Sequence, residues 1–121
     1  MMPPVFEICF ASTPLKALIG TTPCRLYPFG HAPEKVQKPY AVWQLITGSP
    51  GNYLKGPPDM DFASIQFDVY ATSASSAEEV VEALRDALEG DCHVTRWGGH
   101  TRDPETLNYR STFVADWFVP R

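Results

Sequence analysis

The sequence predicts an α+β domain in which helices pack on one face of a single mixed or antiparallel β-sheet. Three observations predict this class. A proline-marked apolar stretch near the start is typical of helices, several short aromatic-rich or alternating stretches are typical of strands, and one long amphipathic stretch separates the later strands. The predicted order is α-β-β-β-α-β-β. The chain has 121 residues, the size of one domain, and we expect residues 1–121 to form it.

The first predicted element is a helical segment over residues 5–19 that breaks near Ser12. Thr13 can cap its second half because a hydroxyl there accepts a backbone N–H, and Pro14 suits the first turn, where no N–H is needed. Gly20 is expected to end the segment, because glycine readily adopts the backbone conformation that follows many helices.

Three strands are predicted before the next helix. A short strand is expected over residues 24–27, and a loop over 28–39 leads to an apolar, central strand over 40–47. Residues 62–72 alternate between apolar and polar side chains, which predicts a half-buried strand. Its predicted core face carries Ile65, Phe67, Val69 and Ala71, and its other face carries Ser64, Gln66, Asp68 and Tyr70.

A long amphipathic helix is the clearest element of the sequence. Ser75 and Glu78 have the spacing of a capping box, in which each side chain bonds the backbone N–H of the other. Apolar residues then recur at helical spacing over residues 77–88, which predicts one buried stripe. Gly90 is expected to close the helix.

Two more strands complete the predicted sheet. The first is expected over residues 92–97, ending at Gly98 and Gly99, and a polar loop over 100–105 follows it. The last strand is expected over 107–119. Its apolar face carries Tyr109, Phe113, Ala115 and Trp117, and its polar face carries Arg110, Thr112 and Asp116.

Charge is unevenly spread along the chain, whose formal net charge is −4. Residues 59–91 hold nine acidic side chains and one basic one, whereas residues 1–58 hold five basic and two acidic ones. The overall acidity argues against general binding to nucleic acid or to an anionic membrane. Unlike halves suit head-to-tail self-association, and the alternative is simply a solvated acidic helix.

The cysteine and histidine pattern indicates neither a disulfide framework nor a metal site. Three cysteines without a CxxC pair are typical of a chain kept in a reducing compartment, and no signal peptide is predicted. Cys92 and His93 are neighbours on a predicted strand, so their side chains point to opposite faces. We expect no metal and no cofactor, and small buried cysteines rather than a catalytic thiol.

Other sequence signals for chemistry are also weak. The sequence holds neither a phosphate-binding glycine motif nor the elbow motif of a nucleophilic serine. The carboxylates within residues 78–89 indicate a solvated helix face rather than an acid–base pair. The aromatic residues Trp43, Tyr70 and Trp97 lack interleaved basic residues, which favours packing over base stacking. A structural or binding role is therefore expected, not an enzyme.

The longest turn-rich loop covers residues 48–61 and contains three glycines and three prolines. Loops of this length in compact domains are usually functional or mobile. Together with the polar loop that follows Gly98 and Gly99, it is a candidate contact site for a partner.

Several motifs, in this order and spacing, carry a family resemblance. They are Pro14-Leu15-Lys16-Ala17-Leu18-Ile19-Gly20, Arg25-Leu26-Tyr27-Pro28, Ala32-Pro33, Pro39-Tyr40-Ala41-Val42-Trp43-Gln44, Leu54-Lys55-Gly56 and Ile65-Gln66-Phe67-Asp68-Val69-Tyr70-Ala71 before the amphipathic helix. The chain resembles the tail-completion, or tail-terminator (head–tail joining), family of long-tailed bacteriophages and prophages nearly end to end.

The resemblance implies a structural role without catalytic residues or cofactors. Members of the family form a ring, commonly a hexamer, that caps the tail tube, stops its polymerisation and joins the head connector. The implied partners are copies of the chain itself, the tail tube protein and the connector or stopper protein, with no specific nucleic acid and no membrane. The implied location is the virion tail, assembled in the cytoplasm of a bacterial host.

The two loops would then contact neighbours in the particle. The candidate residues of the first loop are Asn52, Tyr53, Leu54, Lys55 and Asp59, and those of the second are His100, Arg102 and Asp103. The alternatives are a different small head–tail joining or minor tail protein, and a non-viral protein-binding module.

Overall fold

The computed structural model describes residues 5–21, 24–33, 36–50, 60–90, 92–102 and 108–120. Its helices and strands follow one another as α1 (Val5–Phe10), α2 (Thr13–Ile19), β1 (Leu26–Pro28), β2 (Tyr40–Pro50), β3 (Met60–Ala71), α3 (Ala74–Leu88), β4 (His93–Arg102) and β5 (Tyr109–Pro120). The strands form one five-stranded sheet in the order β1-β2-β3-β5-β4. The pair β1–β2 is parallel and the other three pairs are antiparallel, so the predicted α+β class is confirmed and, of the two predicted sheet types, the sheet is mixed.

Both helix starts lie earlier than the sequence predicts. The Ser12 hydroxyl, not that of Thr13, accepts the N–H of Leu15 at 3.3 Å, and Ser12 has the extended backbone of an N-cap. Ser73 likewise caps α3 by accepting the N–H of Ser76 at 3.1 Å, so the predicted capping box from Ser75 does not form. Each cap lies beside other hydroxyl-bearing residues, and any of these side chains can accept a backbone N–H at a helix start.

The predicted strands exist, with shifted ends. β1 begins two residues later than expected, and Cys92 lies just outside β4. β2 extends to Pro50 and β3 begins at Met60, because the two strands continue to pair with each other through Asp61 opposite Pro50. The predicted loop over 48–61 is therefore shorter at both ends.

All three helices pack on one face of the sheet. The fully buried stripe of β3 meets the apolar stripes of the helices, as the alternation in residues 62–72 predicts. Phe67 stacks on Phe113 of β5 with ring centroids 4.9 Å apart, and Trp117 leans on Phe67 at 6.2 Å. The largest fully buried side chains are Phe67, Phe113, Leu15, Ile19, Ile65, Leu84, Leu88, Val5, Val69, Val80 and Cys9.

The opposite face of the sheet, the open face, is not covered by a helix within the described residues. It presents polar groups from the three central strands, because strand residues alternate between the two faces. Its main polar side chains are Tyr40, Gln44, Ser64, Gln66, Asp68, Tyr70, Arg110, Thr112 and Asp116.

Candidate functional site

The first predicted contact loop joins β2 to β3. Its candidate residues Asn52, Tyr53, Leu54, Lys55 and Asp59 lie outside the described residues, so their role stays a prediction. The flanking strands fix where the connection leaves the sheet. Pro50 pairs with Asp61, and Met60 pairs with Pro120, so the connection departs from the end of the sheet that holds these residues.

The second predicted contact loop is partly wrong. His100 and Arg102 are not in a loop: they lie on β4, opposite Ser111 and Tyr109 of β5. Asp103 lies outside the described residues. Arg102 is exposed, and its guanidinium carbon lies 5.3 Å from the centroid of the Tyr109 ring, in the range of a cation–π contact.

The glycine pair explains why β4 continues. The register between β4 and β5 shifts between Trp97 and Gly99, which marks a β-bulge. A Cβ on Gly98 would lie 3.0 Å from the Cβ of Thr112, so glycine allows the close approach of the two strands. The glycines bend the strand instead of ending it.

The two connections lie at opposite ends of the sheet. The pairs Tyr40–Tyr70 and Ala71–Tyr109 mark one end, which the β4–β5 connection leaves after Arg102. The pair Met60–Pro120 marks the other end, which the β2–β3 connection leaves. A protein with two such ends can hold one neighbour at each.

A polar network occupies the middle of the open face. Asp68 is only 5% exposed although none of the described helices covers it. Its Oδ1 accepts from Nε and Nη2 of Arg110 at 3.2 and 3.0 Å and from the Thr112 hydroxyl at 2.7 Å. The Gln66 amide donates to both Asp68 oxygens at 3.3 Å. Four side chains from two strands thus satisfy one another's polar groups.

The network was not foreseen from the sequence. Alternation placed Asp68 on one polar strand face and Arg110 and Thr112 on another, but these residues are more than 40 positions apart. Only the β3–β5 register, in which Asp68 faces Thr112 directly, brings them together. Pairing the polar faces of the two strongly alternating strands is the signal that could have found it.

Two aromatic rings mark one end of the open face. Tyr40 and Tyr70 stack with centroids 5.0 Å apart, as directly opposed residues of neighbouring strands. Burial raises the pKa of Tyr40, and the nearby Tyr70 phenol raises it further. Burial also raises the pKa of Tyr70, helped by the Asp68 carboxylate. Both phenols are therefore neutral at physiological pH and act as hydrogen-bonding aromatic surface.

The exposed side of α3 is acidic. Its carboxylates are those of Glu78, Glu79, Glu82 and Asp86, with Glu89 following at the cap. Arg85 is the basic residue of this helix and pairs with Asp86 at 3.2 Å and with Glu89 at 3.8 Å. The pairs are exposed, so they add little stability. The sequence predicted this solvated acidic face correctly.

An open groove of about 490 Å³ lies between the α1–α2 corner and α3. Its lining is mostly small and apolar, with one carboxylate at the α3 side. The lining residues are Ile8, Ala11, Ser12, Pro14, Ala83, Asp86 and Ala87. A groove with this lining fits an apolar side chain rather than a charged ligand.

Five large apolar side chains of the described residues are exposed, in two places. Phe6 and Phe10 stack on α1 with centroids 5.5 Å apart, and the Lys16 ammonium lies 4.8 Å from the Phe10 ring centroid. The others lie along the β1–β2 edge: Phe29, Leu45 and Ile46. Phe29 is the most exposed, at 68%.

The Cys9 thiol is not suited to nucleophilic chemistry. All three cysteines are buried, and burial raises the pKa of the Cys9 thiol to about 12, with further contributions from nearby Cys24 and Cys92. A thiol with such a pKa stays protonated and is a poor nucleophile. Cys92 Sγ–H donates to the Leu88 carbonyl at 3.3 Å.

The described part of the chain offers no metal-binding cluster and no membrane-spanning helix. No three His, Cys, Asp or Glu side chains there are placed to hold a metal ion. Its helices are all too short or too polar to cross a membrane.

Comparison with known proteins gives the family. The family model described as "Tail completion protein gp17" matches residues 3–119. No curated protein sequence matches the chain. Among solved structures, the chain is similar in fold to a chain of the "Virion of native gene transfer agent (GTA) particle". The TM-score is 0.71 at 17% identity, over 97% of this chain and 92% of that one.

These findings agree with the motifs of the sequence. At 17% identity the structural likeness shows a shared fold. The family model, in contrast, spans nearly the whole chain and includes every described helix and all but the end of β5. The chain therefore belongs to the tail completion protein family and is a structural protein of the phage virion tail.

Proposed function

We propose that this protein caps the tail tube as a ring, most simply a hexamer, which terminates tube polymerisation and provides the joint to the head connector. The observation that carries the proposal is the family match over residues 3–119. In this role the protein acts by shape and contact and turns over no substrate. Its partners are further copies of itself, the tube protein and the connector or stopper protein.

The ends of the sheet support a joint with two neighbours. A cap between tube and connector needs two binding sides that do not overlap. The β2–β3 connection and the β4–β5 connection leave the sheet at opposite ends, as their flanking pairs show. We assign one partner to the end that carries residues 51–59 and the other partner to the end that carries Arg102 and Asp103.

The surface chemistry supports repeated copies around an axis. A ring forms when one surface of a subunit binds a different surface of the next and the rotation closes. The acidic exposed side of α3 and the more basic first half of the chain are two such unlike surfaces. Attraction between unlike charges also favours contact between two different surfaces over contact between two copies of the same surface.

A tube-elongation assay tests this proposal. Purified tube protein is polymerised with and without the chain, and tube lengths are measured in electron micrographs. We expect short, closed-ended tubes that recruit connector, at chain concentrations near that of tube ends. Normal tube lengths together with normal connector joining, or chain bound along the sides of tubes, would instead favour another minor tail role or a binding module.

Paired variants at the two ends of the sheet test the assignment of the two partners. Tyr53→Ala combined with Lys55→Ala changes the first end, and Arg102→Ala combined with Asp103→Ala changes the second. We expect each pair to weaken one partner and spare the other, measured by co-sedimentation with tubes and with connector. Equal losses of both partners in both variants would contradict the two-ended arrangement.

A further inference from the structure

We propose that the subunits join head to tail, with Phe29 of one copy inserted into the α1–α3 groove of the next copy. This contact rests on the ring proposed above and identifies which surfaces of the chain build it. The groove is the one lined by Ala83 and Ala87 of α3 and by Ile8 of α1.

Phe29 is presented on a fixed piece of backbone. Its N–H donates to the Trp43 carbonyl at 2.8 Å, and the His31 N–H donates to the Pro28 carbonyl at 3.0 Å. Gly30 between them has a φ of 82°, which glycine adopts without strain. The turn therefore fixes the backbone beneath an exposed aromatic ring, so that docking orders the side chain alone.

The groove matches this ring in size and polarity. Its volume of about 490 Å³ accommodates a phenylalanine side chain together with a neighbouring residue such as Pro28. The small side chains of Ala83 and Ala87 leave room above α3, and Ile8 and Pro14 supply apolar walls. Burying most of a phenylalanine side chain strengthens each contact roughly ten- to a hundredfold.

The charges around the two surfaces are opposite. Asp86 lines the groove, and the neighbouring exposed positions of α3 carry Glu79 and Glu82. The sequence around Phe29, residues 24–40, contains three basic residues, Arg25, Lys35 and Lys38, against one acidic residue, Glu34. This complementarity favours a second copy of the chain as the occupant and disfavours two identical surfaces meeting each other.

The placement of the two surfaces fits a chain of contacts. Phe29 lies beyond β1 at one edge of the sheet, whereas the groove lies in the helical layer. A subunit can therefore insert its own Phe29 and receive another at the same time, which is the heterologous contact from which rings close. The same logic makes an open-ended filament the outcome if the rotation does not close.

A mixing experiment tests the contact. Phe29→Ser removes the inserted ring and keeps the groove, and Ala87→Trp fills the groove and keeps Phe29. We expect either variant alone to weaken self-association at least about tenfold in sedimentation velocity. The two mixed in equal amounts should form a dimer and go no further, because only one intact pair of surfaces remains.

Two controls keep the result interpretable. Phe10→Ser removes another exposed ring, one that does not line the groove, and should leave the assembly unchanged. Circular dichroism and thermal unfolding confirm that each variant folds. Assembly of Phe29→Ser that equals that of wild type would overturn the contact, whatever the result for Phe10→Ser.

Disulfide trapping captures the contact even when the free chain associates weakly. In a variant with both Phe29→Cys and Ala87→Cys, oxidation should produce a ladder of crosslinked oligomers, while Phe10→Cys with Ala87→Cys should not. The native thiols are buried and do not compete. A ring of wild-type chains without this ladder overturns the contact and keeps the cap. Crosslinked oligomers that grow without forming a closed ring would support the contact and contradict the proposed cap. The absence of crosslinked oligomers from a chain whose wild type is monomeric would contradict the contact.

Discussion

The two faces of the sheet differ in the interactions that stabilise their buried residues. Phe67 is fully buried under the helices, where its ring stacks on Phe113. Its neighbour Asp68 is almost as buried on the open face, where it accepts hydrogen bonds from Arg110. The covered face gains its stability from apolar area, while the open face keeps its polar groups paired with one another. The centre of the open face, where Asp68, Arg110 and Thr112 satisfy one another, offers a partner few free polar groups, so we place the proposed contacts between copies at the edges, the helices and the ends.

The largest effect is expected on the covered face. Phe67→Ala removes a ring that stacks on Phe113 and supports Trp117, and it leaves a cavity. We expect a loss of about 3–5 kcal/mol in the free energy of unfolding, measured with urea. Gln66→Ala, one position away on the open face, is the matched control and should cost less than about 1 kcal/mol. Similar losses of unfolding free energy in the two variants would contradict the difference between the two faces.

Asp68→Ala tests the polar network of the open face. It leaves the Thr112 hydroxyl and the Arg110 guanidinium without their carboxylate acceptor. We expect a loss of about 2 kcal/mol, because Asp68 is buried while Arg110 is 43% exposed and regains water. Ring formation should persist. A cost below about 0.5 kcal/mol, or loss of assembly in a folded variant, would show that the face has another role.

Titration of Cys9 tests burial beneath the helices. Its pKa rises from 9.0 to about 12 on folding, so the unfolded chain releases this proton first. Stability is therefore full below pH 9 and falls as the pH rises toward 12. The advantage of wild type over Cys9→Ala should shrink by about 1.4 kcal/mol between pH 7 and pH 10. The cost of Ile19→Val, a buried change that does not titrate, should stay constant over the same range.

The smallest effect is expected at the tyrosine pair of the open face. A double-mutant cycle of Tyr40→Ala and Tyr70→Ala should give a coupling of about 0.5–1 kcal/mol, because the two rings stack across neighbouring strands. The measurement is the free energy of unfolding of the four chains. Zero coupling would mean that the rings are held by their own strands alone.

The sequence predicted what depends on local periodicity. Alternation in β3 placed Ile65, Phe67 and Val69 on the core face, and the helical spacing of residues 77–88 placed the stripe of α3. Both patterns follow from the geometry of one element, and the polarity of each side chain reports which way it faces. The fold class followed from the order of these elements.

What the sequence did not predict depends on partners far along the chain. The observed helix caps are Ser12 and Ser73 rather than the predicted Thr13 and Ser75. Neighbouring hydroxyls are chemically equivalent, so the sequence alone does not distinguish them. The sequence predicts a strand end at Gly98, whereas the register shift and the closeness of Thr112 make this glycine part of a bulge. The groove between α1 and α3 has no sequence pattern, since it arises where packed helices leave a space.

Cryo-electron microscopy of purified tail tubes mixed with the chain tests the central claim most directly. The account predicts one ring of chains, with about six-fold symmetry, on a single end of each tube, and Phe29 of each copy inside the α1–α3 groove of its neighbour. Tubes whose ends carry no added density, with the chain unbound or scattered along the tube wall, would contradict the account.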